Sequence, residues 1–151
     1  MSVRVQAGDF NAGDEINSMR LSRSDIGAVA AFIGQVRDLN NGEQVTALTL
    51  EHYPGMTEKS LENIVEQAKQ RWDIFDALVV HRIGTLHPAD QIVLVVVGGA
   101  HRGEAFAACE FIMDYLKTEA PFWKKEQVPD GERWVEAKSS DHNARERWHK
   151  N

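Results

Sequence analysis

The run Ile92 to Val97, IVLVVV, followed at once by Gly98-Gly99-Ala100, constrains the fold more than any other stretch of the chain. Six consecutive apolar residues, four of them valine, read as a central buried strand. The run is far too short to span a bilayer, which takes about 20 residues. The glycines make the turn. Arg102 to Lys117 then reads as a helix, with Phe106, Cys109, Ile112, Met113 and Leu116 facing inward and Pro121 forcing its end.

The other elements are read outward from that unit. Ala77 to Ile83 is rich in β-branched residues and is expected as a second central strand, separated from the first by Gly84, Pro88 and Asp90. Gly27 to Gly34 reads as a buried strand ending at Gln35-Val36-Arg37, which puts Arg37 at a strand exit. Asn41-Gly42 is a hairpin signal, with Val45 to Leu50 as the returning strand. Pro54 and Gly55 break that strand and Thr57 is expected to cap a helix carrying Leu61, Ile64, Val65, Ala68 and Trp72 on one stripe. Two short strands, Phe122 to Gln127 and Arg133 to Ala137, flank a Pro-Asp-Gly turn at 129–131. Strands and helices do not alternate regularly, so the expected class is α+β. One domain over 1–151 is expected, a mixed and largely antiparallel sheet packed by two main helices. The polar stretch from Ser139 onward is taken as a surface helix or C-terminal tail.

Charge and cysteine usage narrow the function classes. Lysine and arginine number 17 against 23 aspartate and glutamate, a net charge of −6. Nucleic acid and anionic membrane are therefore disfavoured as partners, and an anion site must be a local cluster. The single cysteine, Cys109, rules out an internal disulfide and a Cys-x-x-Cys site; it fits a reducing compartment, with cytoplasm as the default. Mid-helix on an apolar stripe, it reads as a small hydrophobe. The six histidines show no metal-ligand spacing, so no metal is expected. The N-terminus lacks the apolar stretch of a signal peptide.

Two clusters could carry chemistry. Gly98 to Arg102 takes a strand into a helix N-terminus, where free N–H groups, His101 and Arg102 would favour an anion. The plainer reading is a tight turn with a solvated arginine. Lys117, Lys124 and Lys125 bracket Pro121. They read either as helix-dipole compensation and a half-exposed strand, or as a shared pocket. If they converge beside His101, Arg102 and Arg37, repulsion and burial would lower a lysine pKa and suit it to proton transfer. Phe122, Trp123 and Trp134 are expected to cover the core.

The segments LTLEHYPGMTEK at 48–59, AHRGEAF at 100–106 and FIMDYLKTEAPFWKKE at 111–126 together resemble the large, catalytic subunit of molybdopterin synthase. FIGQVRD at 32–38, HRIG at 81–84 and GERWVEA at 131–137 extend the resemblance over most of the chain. It implies a sulfurtransferase of molybdenum cofactor biosynthesis that converts cyclic pyranopterin monophosphate to the dithiolene molybdopterin. Sulfur would come from a small ubiquitin-like subunit bearing a C-terminal Gly-Gly thiocarboxylate, so no cofactor and no nucleophilic cysteine are implied. The assembly implied is a heterotetramer around a homodimer of large subunits. Carried over by motif, Lys117 and Lys124 are the catalytic lysines, and Arg37, His101 and Arg102 bind substrate. Gln35, Val36, Lys125 and Glu126 fall at the pocket lining, with Phe32 and Met113 behind it. Gln35 departs from a common lysine, and Lys138 stands where an arginine of the second subunit can reach the pocket. The rival reading of the same cations is a non-catalytic module that binds a phosphorylated ligand.

Overall fold

The computed structural model describes residues 2–135 and 139–150. The first sheet contains β1 (Val3–Gln6), β2 (Ala28–Gln35), β6 (Ile74–Arg82) and β8 (Gln91–Gly99), in the order β1-β6-β8-β2. Only β1 and β6 run parallel; the other neighbours are antiparallel. The strand expected from IVLVVV is β8, and its composition follows from burial on both faces. Val93, Val95 and Val97 pack with α2 (Met56–Arg71) and α3 (Arg102–Glu119), while Leu94 and Val96 pack with Met19 of α1 (Ala12–Leu21). Leu61, Ile64 and Ala68 of α2 are essentially sealed from water, each apolar side chain of leucine size contributing about 1.5–3 kcal/mol. The chain is an α+β fold, as expected; β1 and α1 are elements the sequence reading did not assign.

A second sheet has the order β10-β9-β5-β7, formed by β5 (Ala47–His52), β7 (Gly84–Leu86), β9 (Phe122–Val128) and β10 (Gly131–Val135). Here the expected local hairpin is corrected. Asn41 and Gly42 do turn the chain, at φ 52° and 79°, but their strands β3 (Leu39–Asn40) and β4 (Glu43–Gln44) have two residues each. The returning strand leaves β2 and pairs instead with β9 and β7, burying Leu48 and Leu50 against Leu86 and Val36.

Three further expectations change. Thr57 does not cap α2: Gly55 takes that position, and its N–H donates to Glu58 Oε1 at 3.1 Å. The Thr57 hydroxyl is buried and donates to the Pro121 carbonyl at 2.9 Å, tying α2 to the start of β9. Phe106 is 66% exposed, because the buried face of α3 runs through Ala105, Ala108, Cys109, Ile112 and Leu116. Trp123 and Trp134 are also exposed, on the outer face of the second sheet.

The polar C-terminal stretch forms α4 (Ser139–Glu146) and a 3-10 turn at Arg147–Lys150. It is fastened to α3 by Trp148, whose indole N–H donates to Asp114 Oδ2 at 2.7 Å and whose ring meets Trp72 and Phe111 edge-on. No helix among the described residues is long and apolar enough to cross a membrane.

Candidate active site

Where the two sheets and the end of α3 meet, they leave a pocket of about 390 Å³. Its floor follows from strand register. His81 of β6 and Gly34 of β2 both pair with Val93 of β8, one on either side. Gly34 keeps the floor open: a Cβ there would stand 2.9 Å from the Val93 side chain and 3.4 Å from Phe32. Beyond Gly34 the strand exit delivers Gln35, Val36 and Arg37 to the rim.

Lys117, in the last turn of α3, and Lys124, in β9, both line the pocket, close enough for their amines to interact. The alternation of β9 decides which lysine enters: Lys124 and Glu126 point inward, and Lys125 points out. Burial, then the charge of Lys117, push the Lys124 amine down to about 8, against a weaker opposing pull from Asp141 and Glu126. Asp141 belongs to α4, so the C-terminal helix supplies part of the wall.

Glu126 is 6% exposed and its two oxygens are engaged by protein groups. Oε1 accepts from Arg133 Nε at 3.0 Å, with Arg133 Nη2 also 3.0 Å away, and Oε2 accepts from Asn40 at 2.8 Å. Arg133 Nη2 also donates to the Asn40 carbonyl at 3.1 Å. Glu126 thus clasps the short β3–β4 hairpin against the second sheet.

Of the residues expected at the site, the pocket brings together Gln35, Val36, Arg37, Lys117, Lys124 and Glu126, with Phe32 in its wall. Lys125 is corrected: it pairs with Glu132 at 3.3 Å and lies 5.4 Å over the Trp134 ring on the opposite face. Met113 is buried behind the wall. His101 and Arg102 are exposed at the far end of α3, about 22 Å from Lys117 at 1.5 Å per residue. One chain therefore does not gather them with the lysines. Lys138 lies outside the described residues.

The sequence reading missed His81. It is 3% exposed, lines the pocket and stacks on Phe122 with ring centroids 3.8 Å apart. Burial above all, with the charges of Lys117, Lys124 and His52, pushes its pKa down to about 3. Cys109 is buried in the core, and burial raises its thiol to about 11, so it is a packing residue. No group of side chains suited to a metal ion occurs among the described residues. A paired, partly buried amine beside an arginine suits proton transfer on an anionic ligand.

Residues 5–119 match the family described as MoaE protein. The molybdopterin synthase catalytic subunit of Ralstonia nicotianae is 64% identical over 147 residues, covering 97% of this chain and 84% of that protein. A solved molybdopterin biosynthesis MoaE protein from Burkholderia ambifaria is 55% identical, covers 98% of this chain and 97% of its own, and superposes with a TM-score of 0.84. The fold also recurs, at 20% identity, 92% coverage of each chain and a TM-score of 0.73, in a Helicobacter pylori complex of subunits 1 and 2 of molybdopterin-converting factor.

Proposed function

Because the chain belongs to the MoaE family, the catalytic subunits of molybdopterin synthase, we propose that its lysine pocket is where sulfur is transferred to cyclic pyranopterin monophosphate. The enzyme acts in molybdenum cofactor biosynthesis. The observation that carries the proposal is the contact of Lys117 with Lys124 inside a pocket edged by Arg37.

Sulfur arrives as the thiocarboxylate at the Gly-Gly end of a small ubiquitin-like second subunit; the Helicobacter pylori protein of the same fold is solved as a complex of subunits 1 and 2 of molybdopterin-converting factor. A glycine tail has no side chains to clash with the walls, so it can be gripped by its backbone and terminal charge. With its amine at about 8, Lys124 is about one-tenth neutral at pH 7 and can take up a proton and return it. Of the two catalytic lysines the resemblance implies, the burial of Lys124 suits it to this work. Lys117 then supplies fixed charge, which lowers Lys124 and stabilises the oxyanion of the thioacyl transfer step. Arg37 at the rim holds the phosphate.

His101 and Arg102 can join this pocket only from a second copy, given their distance along α3. A homodimer is proposed on that ground, and the edge of β2, unpaired among the described residues and carrying the exposed Phe32 and Ile33, is suited to it. Two small subunits on that dimer complete the heterotetramer. A lone, buried thiol suits the cytoplasm, where we place the enzyme.

Reconstitution tests the proposal. Purified chain, thiocarboxylated small subunit and cyclic pyranopterin monophosphate should together yield the dithiolene. Tight binding of the pterin phosphate with no turnover would instead favour the non-catalytic binding module.

A further inference from the structure

His81 has one ring nitrogen accounted for and one that is not. Nδ1 lies 2.8 Å from the Arg82 carbonyl oxygen. A carbonyl only accepts, so Nδ1 carries the hydrogen and the neutral ring leaves a lone pair on Nε2. No hydrogen bond to Nε2 occurs among the described residues, although the side chain is 3% exposed and forms part of the pocket. A polar atom open to a cavity, on a side chain otherwise buried and with no protein partner for that atom among the described residues, marks a place for a ligand group.

The rest of the lining sharpens what that group is. Arg37, Lys117 and Lys124 are donors. Of the two carboxylates in the lining, the buried Glu126 has both oxygens committed to Arg133 and Asn40, and Asp141 stands in the α4 wall. His81 Nε2 therefore adds a neutral acceptor to a donor-rich wall, and its ring is held rigidly by the Phe122 stack on one face. We propose that His81 Nε2 is a fixed hydrogen-bond acceptor for a ring N–H of the bound heterocycle, so that the lysines and Arg37 read the ligand's charge and His81 reads its ring. This rests on the pocket being the pterin phosphate site. Burial keeps the imidazole neutral through the physiological range, so the acceptor persists there without adding a third positive charge beside the lysines.

Two substitutions separate the nitrogens. His81→Asn keeps a donor for the Arg82 carbonyl and removes the Nε2 acceptor; His81→Gln places an oxygen near the Nε2 position. Calorimetric titration with cyclic pyranopterin monophosphate, and separately with inorganic phosphate, should show His81→Asn weakening the pterin phosphate about three- to tenfold. Inorganic phosphate should bind both variants like the unsubstituted protein, and His81→Gln should recover part of the loss. In turnover the Asn variant should raise KM with kcat little changed. Equal affinity of His81→Asn and the unsubstituted protein for the pterin phosphate would overturn the proposal, as would equal weakening of both ligands. If His81→Asn does not fold, His81→Phe, which keeps a ring on Phe122, is read by the same criteria. Failure of the unsubstituted protein to bind the pterin phosphate would defeat the reading of the pocket itself.

Discussion

Lys124 rests beside Lys117, seven residues earlier in the chain, across the junction of β9 and α3, and burial together with that neighbour holds the Lys124 amine at about 8. Removing the Lys117 charge removes the second-largest cause of that depression. Lys117→Met should therefore raise the Lys124 pKa above 8, toward 10.5 but short of it, because burial remains. NMR titration of the Lys124 side chain measures this directly. An unchanged midpoint would show that the two amines do not interact.

The same depression sets a stability prediction. Below pH 8 the folded protein carries a charge on Lys124 that the unfolded chain holds at less cost, so stability falls as pH drops from 10.5 through 8. At pH 7 the cost is on the order of 1–3 kcal/mol. Lys124→Met should accordingly melt a few degrees higher at pH 7. The gain should shrink as pH rises above 8. Thermal melts at pH 7 and pH 10 compare the two, and a destabilised variant at pH 7 would contradict the account.

Much of the architecture is legible in the residues, and the exceptions have physical causes. IVLVVV and the stripe through Cys109, Ile112 and Leu116 specify β8 and α3 because burial on both faces and helical period leave few alternatives. The partner of β5 was hidden because Asn41-Gly42 signals a turn but not how far its arms pair. The inward lysine of the Lys124-Lys125 pair needed the second sheet to decide it. His101 and Arg102 are different: fifteen helical steps already separate Arg102 from Lys117, so arithmetic on the expected helix excludes their meeting in one chain. His81 was invisible because its burial and its stack on Phe122 are made only by tertiary packing.

Acid should destabilise the protein through His81 before most carboxylates titrate. Its pKa is about 3 when folded against 6.5 for the ordinary group, so the stability it confers is full above 6.5 and lost as pH falls toward 3. The slope reaches about 1.4 kcal/mol per pH unit. Urea unfolding at pH 7, 6 and 5 should show this loss, and His81→Gln should flatten it. An equal slope in the variant would remove His81 from the acid response.

Cys109 should be chemically silent. With its thiol raised to about 11, thiolate-specific reagents should label it in the folded protein at neutral pH far more slowly than after unfolding. Cys109→Ser should lose about 1–3 kcal/mol by burying a hydroxyl in an apolar cluster. Its dithiolene-forming activity should survive at temperatures where it remains folded. Rapid labelling of the native thiol, or a folded but inactive serine variant, would contradict an external sulfur source.

The most direct test of the lysine pair is dithiolene formation by Lys117→Ala and Lys124→Ala, each supplied with thiocarboxylated small subunit and cyclic pyranopterin monophosphate. Lys117 is exposed in a last helical turn, where dipole compensation is worth about 0.3–1 kcal/mol, so its variant should fold normally. Loss of a positioned proton carrier or of the charge that tunes it should slow product formation about 100-fold or more. Both variants should show that loss with melting temperatures at or above those expected from stability alone. Product formation within a few-fold of the unsubstituted protein by either variant would place the chemistry outside this pair.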